Sequence, residues 1–97
     1  MERLVRVGDK VIGAIDNGIF TKRIKEGPHL LHNRGGVPSI DAKVYNEHRD
    51  TIKEFRISTD AGRTFSISCA SFEENKEEID YGWGKQYVVD REYWNIT

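Results

Sequence analysis

Ile52-Lys53-Glu54-Phe55-Arg56-Ile57-Ser58-Thr59-Asp60-Ala61-Gly62-Arg63-Thr64-Phe65-Ser66-Ile67-Ser68-Cys69 decides the fold. Apolar Phe55 and Ile57 recur at every second residue, as do Phe65, Ile67 and Cys69. That period belongs to a strand with one buried face. Asp60-Ala61-Gly62 separates the two runs and reads as a turn. The stretch is therefore a β-hairpin with one face on the core and one in water.

Upstream, Leu4 to Val7 alternates and Val11 to Ile15 is an apolar run too short for most helices. Asp16-Asn17-Gly18 follows, and Asn-Gly is the strongest short hairpin signal because both residues tolerate positive φ. Ile19 to Ile24 returns as a strand, with Phe20, Lys22 and Ile24 sharing one face. Ser39 or Asp41 can cap a short helix over about 40–50, with Ile40, Val44 and His48 facing the sheet. Downstream, Ser71 and Glu74 have capping-box spacing and predict a second helix ending near Glu78. Lys85 to Asp90 reads as a last strand and Arg91 to Thr97 as a tail or half-turn, with Trp94 in the core or latching the tail.

The fold expected is α+β, a single domain over residues 1–97. It is an antiparallel, hairpin-rich curved sheet or small open barrel of about six strands with two short helices. No stretch approaches the ~20 apolar residues of a membrane span. The charged, alternating first residues do not read as a signal peptide. Cys69 is the single cysteine, which rules out an internal disulfide framework and favours a reducing, cytoplasmic compartment.

Net charge is −1, but it is unevenly spread. Residues 1–34 carry seven Lys/Arg against four Asp/Glu, and residues 35–97 carry eight against twelve. This is not the strongly basic balance of a simple nucleic-acid binder. It is compatible with one basic and one acidic face.

The basic half ends in a stretch that reads as a loop, Lys22 to Gly36. Lys22, Arg23, Lys25 and Arg34 supply cations, and Gly35 and Gly36 offer unhindered backbone N–H groups. Such a set suits phosphate oxygens, although no Walker-type loop is present. A solvated surface loop with ordinary charges is the plainer reading. His29 and His32 have chelating spacing, and His48 is a third imidazole. Zinc needs further ligands, and no second cysteine exists to supply one.

Five of the ten aromatic residues fall between Tyr81 and Trp94. Trp83 stands between Gly82 and Gly84, beside Tyr81. It reads either as a stacking residue for a base or a partner's pocket, or as a core plug under a turn. The run Glu73-Glu74-Asn75-Lys76-Glu77-Glu78-Ile79-Asp80 is ordinarily the wet face of a helix, and otherwise an acidic patch for a basic partner. Cys69 on an inward strand face reads as inert. No nucleophile elbow or comparable catalytic context is present.

Several short motifs give a resemblance. They are Phe20-Thr21-Lys22, His29-Leu30-Leu31-His32-Asn33-Arg34, Pro38-Ser39-Ile40-Asp41, Gly62-Arg63-Thr64-Phe65 and Tyr81-Gly82-Trp83-Gly84-Lys85-Gln86. In this order the chain resembles small prokaryotic and phage-associated proteins of uncharacterised activity. The resemblance implies a prokaryotic or mobile-element setting and assigns no functional residue.

The function expected is a non-enzymatic binding module without a cofactor. Its ligand is a nucleic acid or nucleotide, held by Lys22, Arg23, Lys25, Arg34, Gly35 and Gly36 and stacked on Tyr81 and Trp83. The composite site requires loop 25–36 and turn 80–86 to share one end of the sheet. The alternatives are a protein–protein inhibitor or adaptor, such as a phage anti-defence protein, acting through the acidic 73–80 segment and Trp83, and a metal-dependent enzyme around His29, His32 and His48. Leu4 to Val7, as an unpaired edge strand, also makes a homodimer conceivable.

Overall fold

Asn17 and Gly18 take φ values of 52° and 80°, the left-handed pair that a tight hairpin turn requires. They join β2 (Lys10–Asp16) to β3 (Ile19–Ile24), and β1 (Arg3–Val7) pairs antiparallel with the other side of β2. These come from a computed structural model, which describes residues 2–25 and 37–97. Beyond β3 follow β4 (Ser39–Asp41), α1 (Ala42–His48), β5 (Glu54–Thr59), β6 (Thr64–Ser68) and α2 (Cys69–Asn75). The chain ends with β7 (Glu77–Asp80), β8 (Lys85–Val88), a single 3₁₀ turn at Arg91–Tyr93 and β9 (Asn95–Ile96).

The fold is α+β with an open, mixed sheet of six strands in the order β1-β2-β3-β5-β6-β9. A second sheet, β4-β8-β7, is antiparallel throughout. The hairpin β5–β6 forms with the register its alternation implies, Phe55 opposite Ile67 and Ile57 opposite Phe65. All four side chains are buried. The one departure from antiparallel pairing is β3 against β5, which run parallel with Phe20 beside Phe55. Two chain segments of like direction need a crossover; here it contains β4 and α1.

The core lies between the inner face of the larger sheet, the helices and the smaller sheet. Phe55 sits at its centre, 4.7 Å from Phe72 and 5.9 Å from Tyr45, ring centre to ring centre. Trp94 latches the tail, as expected: its indole N–H donates to the Val89 carbonyl at 3.1 Å, and its ring stands edge-on to Phe65. Aromatic rings in such offset and edge contacts add to the area they bury.

Both helices start where a side chain caps them, and this moves both from their expected bounds. Asp41 accepts the Val44 N–H at 3.0 Å, so Ile40 remains in β4 and Ala42, Val44 and Tyr45 form the buried stripe. Ser68 accepts the Ser71 N–H at 3.1 Å, so α2 opens at Cys69 and not at Ser71. The helix stops at Lys76, whose backbone is extended. The acidic run is thereby divided: Glu73 and Glu74 are helical, whereas Glu77 to Asp80 form an edge strand.

Gly13 is required by a close approach. A Cβ there would lie 2.5 Å from the Thr21 carbonyl oxygen and 2.9 Å from the Phe20 ring. A backbone oxygen in a paired strand cannot move aside cheaply. Gly13→Ala is expected to destabilise the protein by about 1–3 kcal/mol, the usual penalty of overpacking. A urea denaturation curve with a lowered midpoint and unchanged slope checks it.

Candidate functional site

The β2–β3 hairpin comes apart before its strands end. Pairing covers only Ala14–Asp16 with Ile19–Thr21. Beyond it, β2 follows β1 and β3 follows β5. The cause is visible in the register of β1 and β2. Val5 pairs with Gly13 but Arg6 pairs with Val11, so Ile12 is an extra residue on β2. A bulge bends and twists its strand, and this one lies where β2 leaves β3.

An open cleft of about 380 Å³ lies at this divergence. Leu4, Val11, Ile12, Gly13 and Ala14 line one side, and Thr21, Lys22, Arg23 and Ser58 the other. Consecutive strand residues point to opposite faces. Lys22 and Arg23 therefore leave β3 on opposite sides, and only a cleft that opens between the strands meets both.

Lys22 is the unusual cation. It occupies the face of β3 that also carries buried Phe20, and it is itself half-buried. Desolvation lowers its pKa from the ordinary lysine value. The nearby Asp41 carboxylate opposes that shift, and Lys10 adds to it. Asp41 belongs to a polar group in the smaller sheet: its second oxygen lies 3.4 Å from the Gln86 amide nitrogen, and the Ser39 hydroxyl donates to Gln86 Oε1 at 3.2 Å. Ser39 and Gln86 are buried, and each has a hydrogen-bond partner. Asp41, the last of Pro38-Ser39-Ile40-Asp41, thus supplies both a helix cap and a counter-charge.

Of the residues expected to bind a ligand, Lys22 and Arg23 meet at this cleft. Lys25 is exposed just past the end of β3. Arg34, Gly35, Gly36, His29 and His32 lie outside the described residues. Tyr81 and Trp83 stand elsewhere, on the turn between β7 and β8. Their rings stack with centres 5.6 Å apart and planes 18° apart. Trp83 is 62% exposed, which removes the core-plug reading. The downstream flank of the loop, Val37 to Ser39, enters the smaller sheet opposite Val88, whereas the aromatic turn closes off its other end at Asp80–Lys85. Among the described residues no three His, Cys, Asp or Glu side chains converge as metal ligands.

A second polar cluster joins the helices. The Tyr45 hydroxyl donates to Glu73 and lies 3.7 Å from the Cys69 sulfur. Burial and the Glu73 hydrogen bond push the phenol well above its ordinary pKa, while the same bond holds Glu73 below the usual carboxylate range. Lys76 reaches Glu73 at 3.8 Å and sits 4.2 Å above the Tyr87 ring. Every group here is occupied by a neighbour, which marks the cluster as a strut between α1 and α2.

No family model matches the chain, and no curated protein or solved structure does. No helix among the described residues is long and apolar enough to cross a membrane.

The Lys22 shift makes stability depend on pH. The unfolded chain holds this proton up to 10.5, whereas the folded chain releases it earlier. Stability from this group therefore rises with pH between the depressed value and 10.5. Tyr45 gives the opposite slope above 10.0, because only the unfolded phenol ionises there. Lys22→Met is expected to remove the Lys22 rise and leave the Tyr45 fall. Urea midpoints for both proteins between about pH 8 and pH 10.5 isolate the difference.

Proposed function

We propose that the protein is a non-enzymatic binding module for a small phosphate-bearing ligand of the nucleotide class, seated in the β2–β3 cleft. The observation that carries this reading is that Lys22 and Arg23, which leave β3 on opposite faces, both line a cleft whose other wall is apolar. Its volume falls within the range of small-molecule sites. Guanidinium and ammonium groups match phosphate oxygens, and Leu4, Val11 and Ile12 give a base or sugar a surface to lie against. A half-desolvated Lys22 strengthens the case, because an anion beside it regains the interaction that burial removes. The cleft favours a mononucleotide or one flipped unit of a strand over duplex nucleic acid, which needs a broad basic face.

Calorimetric titration with ADP and with inorganic phosphate tests the reading. ADP is expected to bind, and more tightly than phosphate. Added salt is expected to weaken both. Arg23→Ala and Lys22→Met are each expected to weaken ADP by about tenfold or more, the loss of one charge-assisted contact. No ADP binding, or binding that neither substitution changes, overturns it.

One observation favours a second reading, a protein adaptor. Trp83 is exposed at the tip of a hairpin whose edge strand carries Glu77, Glu78 and Asp80. A large exposed aromatic beside a charged edge is the usual composition of an interface anchor. On this reading Trp83→Ala abolishes capture of a basic protein partner and leaves ADP affinity unchanged. Retained capture by the folded variant rejects it.

A further inference from the structure

We infer that β1 is the pairing edge of a symmetric dimer, in which the strand adds antiparallel to β1 of a second copy. The strand is terminal in the six-stranded sheet. The bulge beside it belongs to β2, so β1 keeps a regular backbone. It has no proline and no bulge of its own; what guards it is its short length and the charges of Arg3 and Arg6, which any pairing must satisfy. Leu4 and Val7 on it are 50% and 45% exposed, and Val11 on the adjacent strand is 44% exposed. Large exposed side chains along a terminal strand are a template for pairing.

The occupant is fixed by how β1 reads against itself. With the two-fold axis at Leu4, Leu4 meets Leu4 of the second copy. Glu2 then lies opposite Arg6 twice, once on each side of the axis. Arg3 lies opposite Val5, where its aliphatic stem can pack. Opposite charges across an antiparallel pair stabilise it and like charges oppose it. A shift by one residue is closed to a two-fold pair, because it would set outward Leu4 against core-facing Val5. Shifting once more leaves Glu2 opposite Gly8 and Arg6 opposite Leu4, with no charge pair. Only the first register joins apolar contact with ion pairing, and an isologous contact of this kind closes after two copies.

The dimer makes one continuous sheet of twelve strands, twice the six in each copy. Leu4 also lines the cleft, so the two clefts become neighbours across the axis. The inference rests on the strand edge and stands whether or not the cleft binds a nucleotide.

Native mass spectrometry and light scattering of the purified chain test it, with thermal unfolding as the fold control. Wild type is expected to be a dimer. Arg6→Glu, an exposed substitution, sets Glu2 against a carboxylate and is expected to give a folded monomer. Combining Glu2→Arg with Arg6→Glu exchanges the charges and is expected to restore the dimer. A monomeric wild type overturns the inference. So does a dimer that survives Arg6→Glu, or a double exchange that stays monomeric while folded.

Discussion

The Gly18 carbonyl accepts from two backbone donors, Lys53 at 2.7 Å and Glu54 at 3.2 Å. From that clamp β3 and β5 run side by side, pairing Ile19 with Glu54 through to Ile24 with Thr59. This parallel contact joins two hairpins that each bury only one face. It sets Phe20 edge-on to Phe55 at 5.8 Å, and through Phe55 it reaches Tyr45 and Phe72. Without it the N-terminal meander has no large apolar partner, since an isolated hairpin is marginal in water. The same contact commits β3 to the twist of β5, while β2 stays with β1. The cleft is a geometric consequence of that divided allegiance.

A lysine on the core-facing side of a strand is costly, since burial disfavours its charge. It is tolerated here because Asp41 supplies a counter-charge from the second sheet. Asp41 also caps α1. One carboxylate thus fixes the start of a helix and steadies the buried end of a cation. Hydrophobic replacement of such a pair is often neutral or stabilising.

Much of this architecture was legible in the alternation of apolar residues. The hairpin 52–69, the Asn17-Gly18 turn and the sharing of one face by Phe20 and Lys22 follow from that alternation and its turn residues. The parallel pairing was not legible, because a strand pattern shows which face is buried and says nothing of the neighbour's direction. Nor was β4, whose three residues are too few for any period. At 71–80 two signals competed: glutamate-rich composition favours helix, yet the Ser68 cap starts α2 early and Glu77 to Asp80 pair with β8. Tertiary pairing overrode propensity there. The cleft itself depends on a bulge at Ile12, and bulges leave little trace in an apolar run.

The charge asymmetry of the sequence becomes spatial through the strand order. Chain order and sheet order coincide over β1, β2 and β3. Arg3, Arg6, Lys10, Lys22, Arg23 and Lys25 are therefore gathered at one side of the larger sheet. The C-terminal cations are situated differently. Arg56 lies 2.8 Å from Glu54, Arg49 lies 3.4 Å from Glu73, and Lys85 lies 3.8 Å from Glu78. Each of these meets a carboxylate on its own surface, so its field is largely cancelled within a Debye length. Among the described residues 2–25 these six cations stand with three carboxylates, Glu2, Asp9 and Asp16. The strands that the bulge has parted therefore carry a positive excess, and it is this excess beside the cleft that the proposed nucleotide reading draws on.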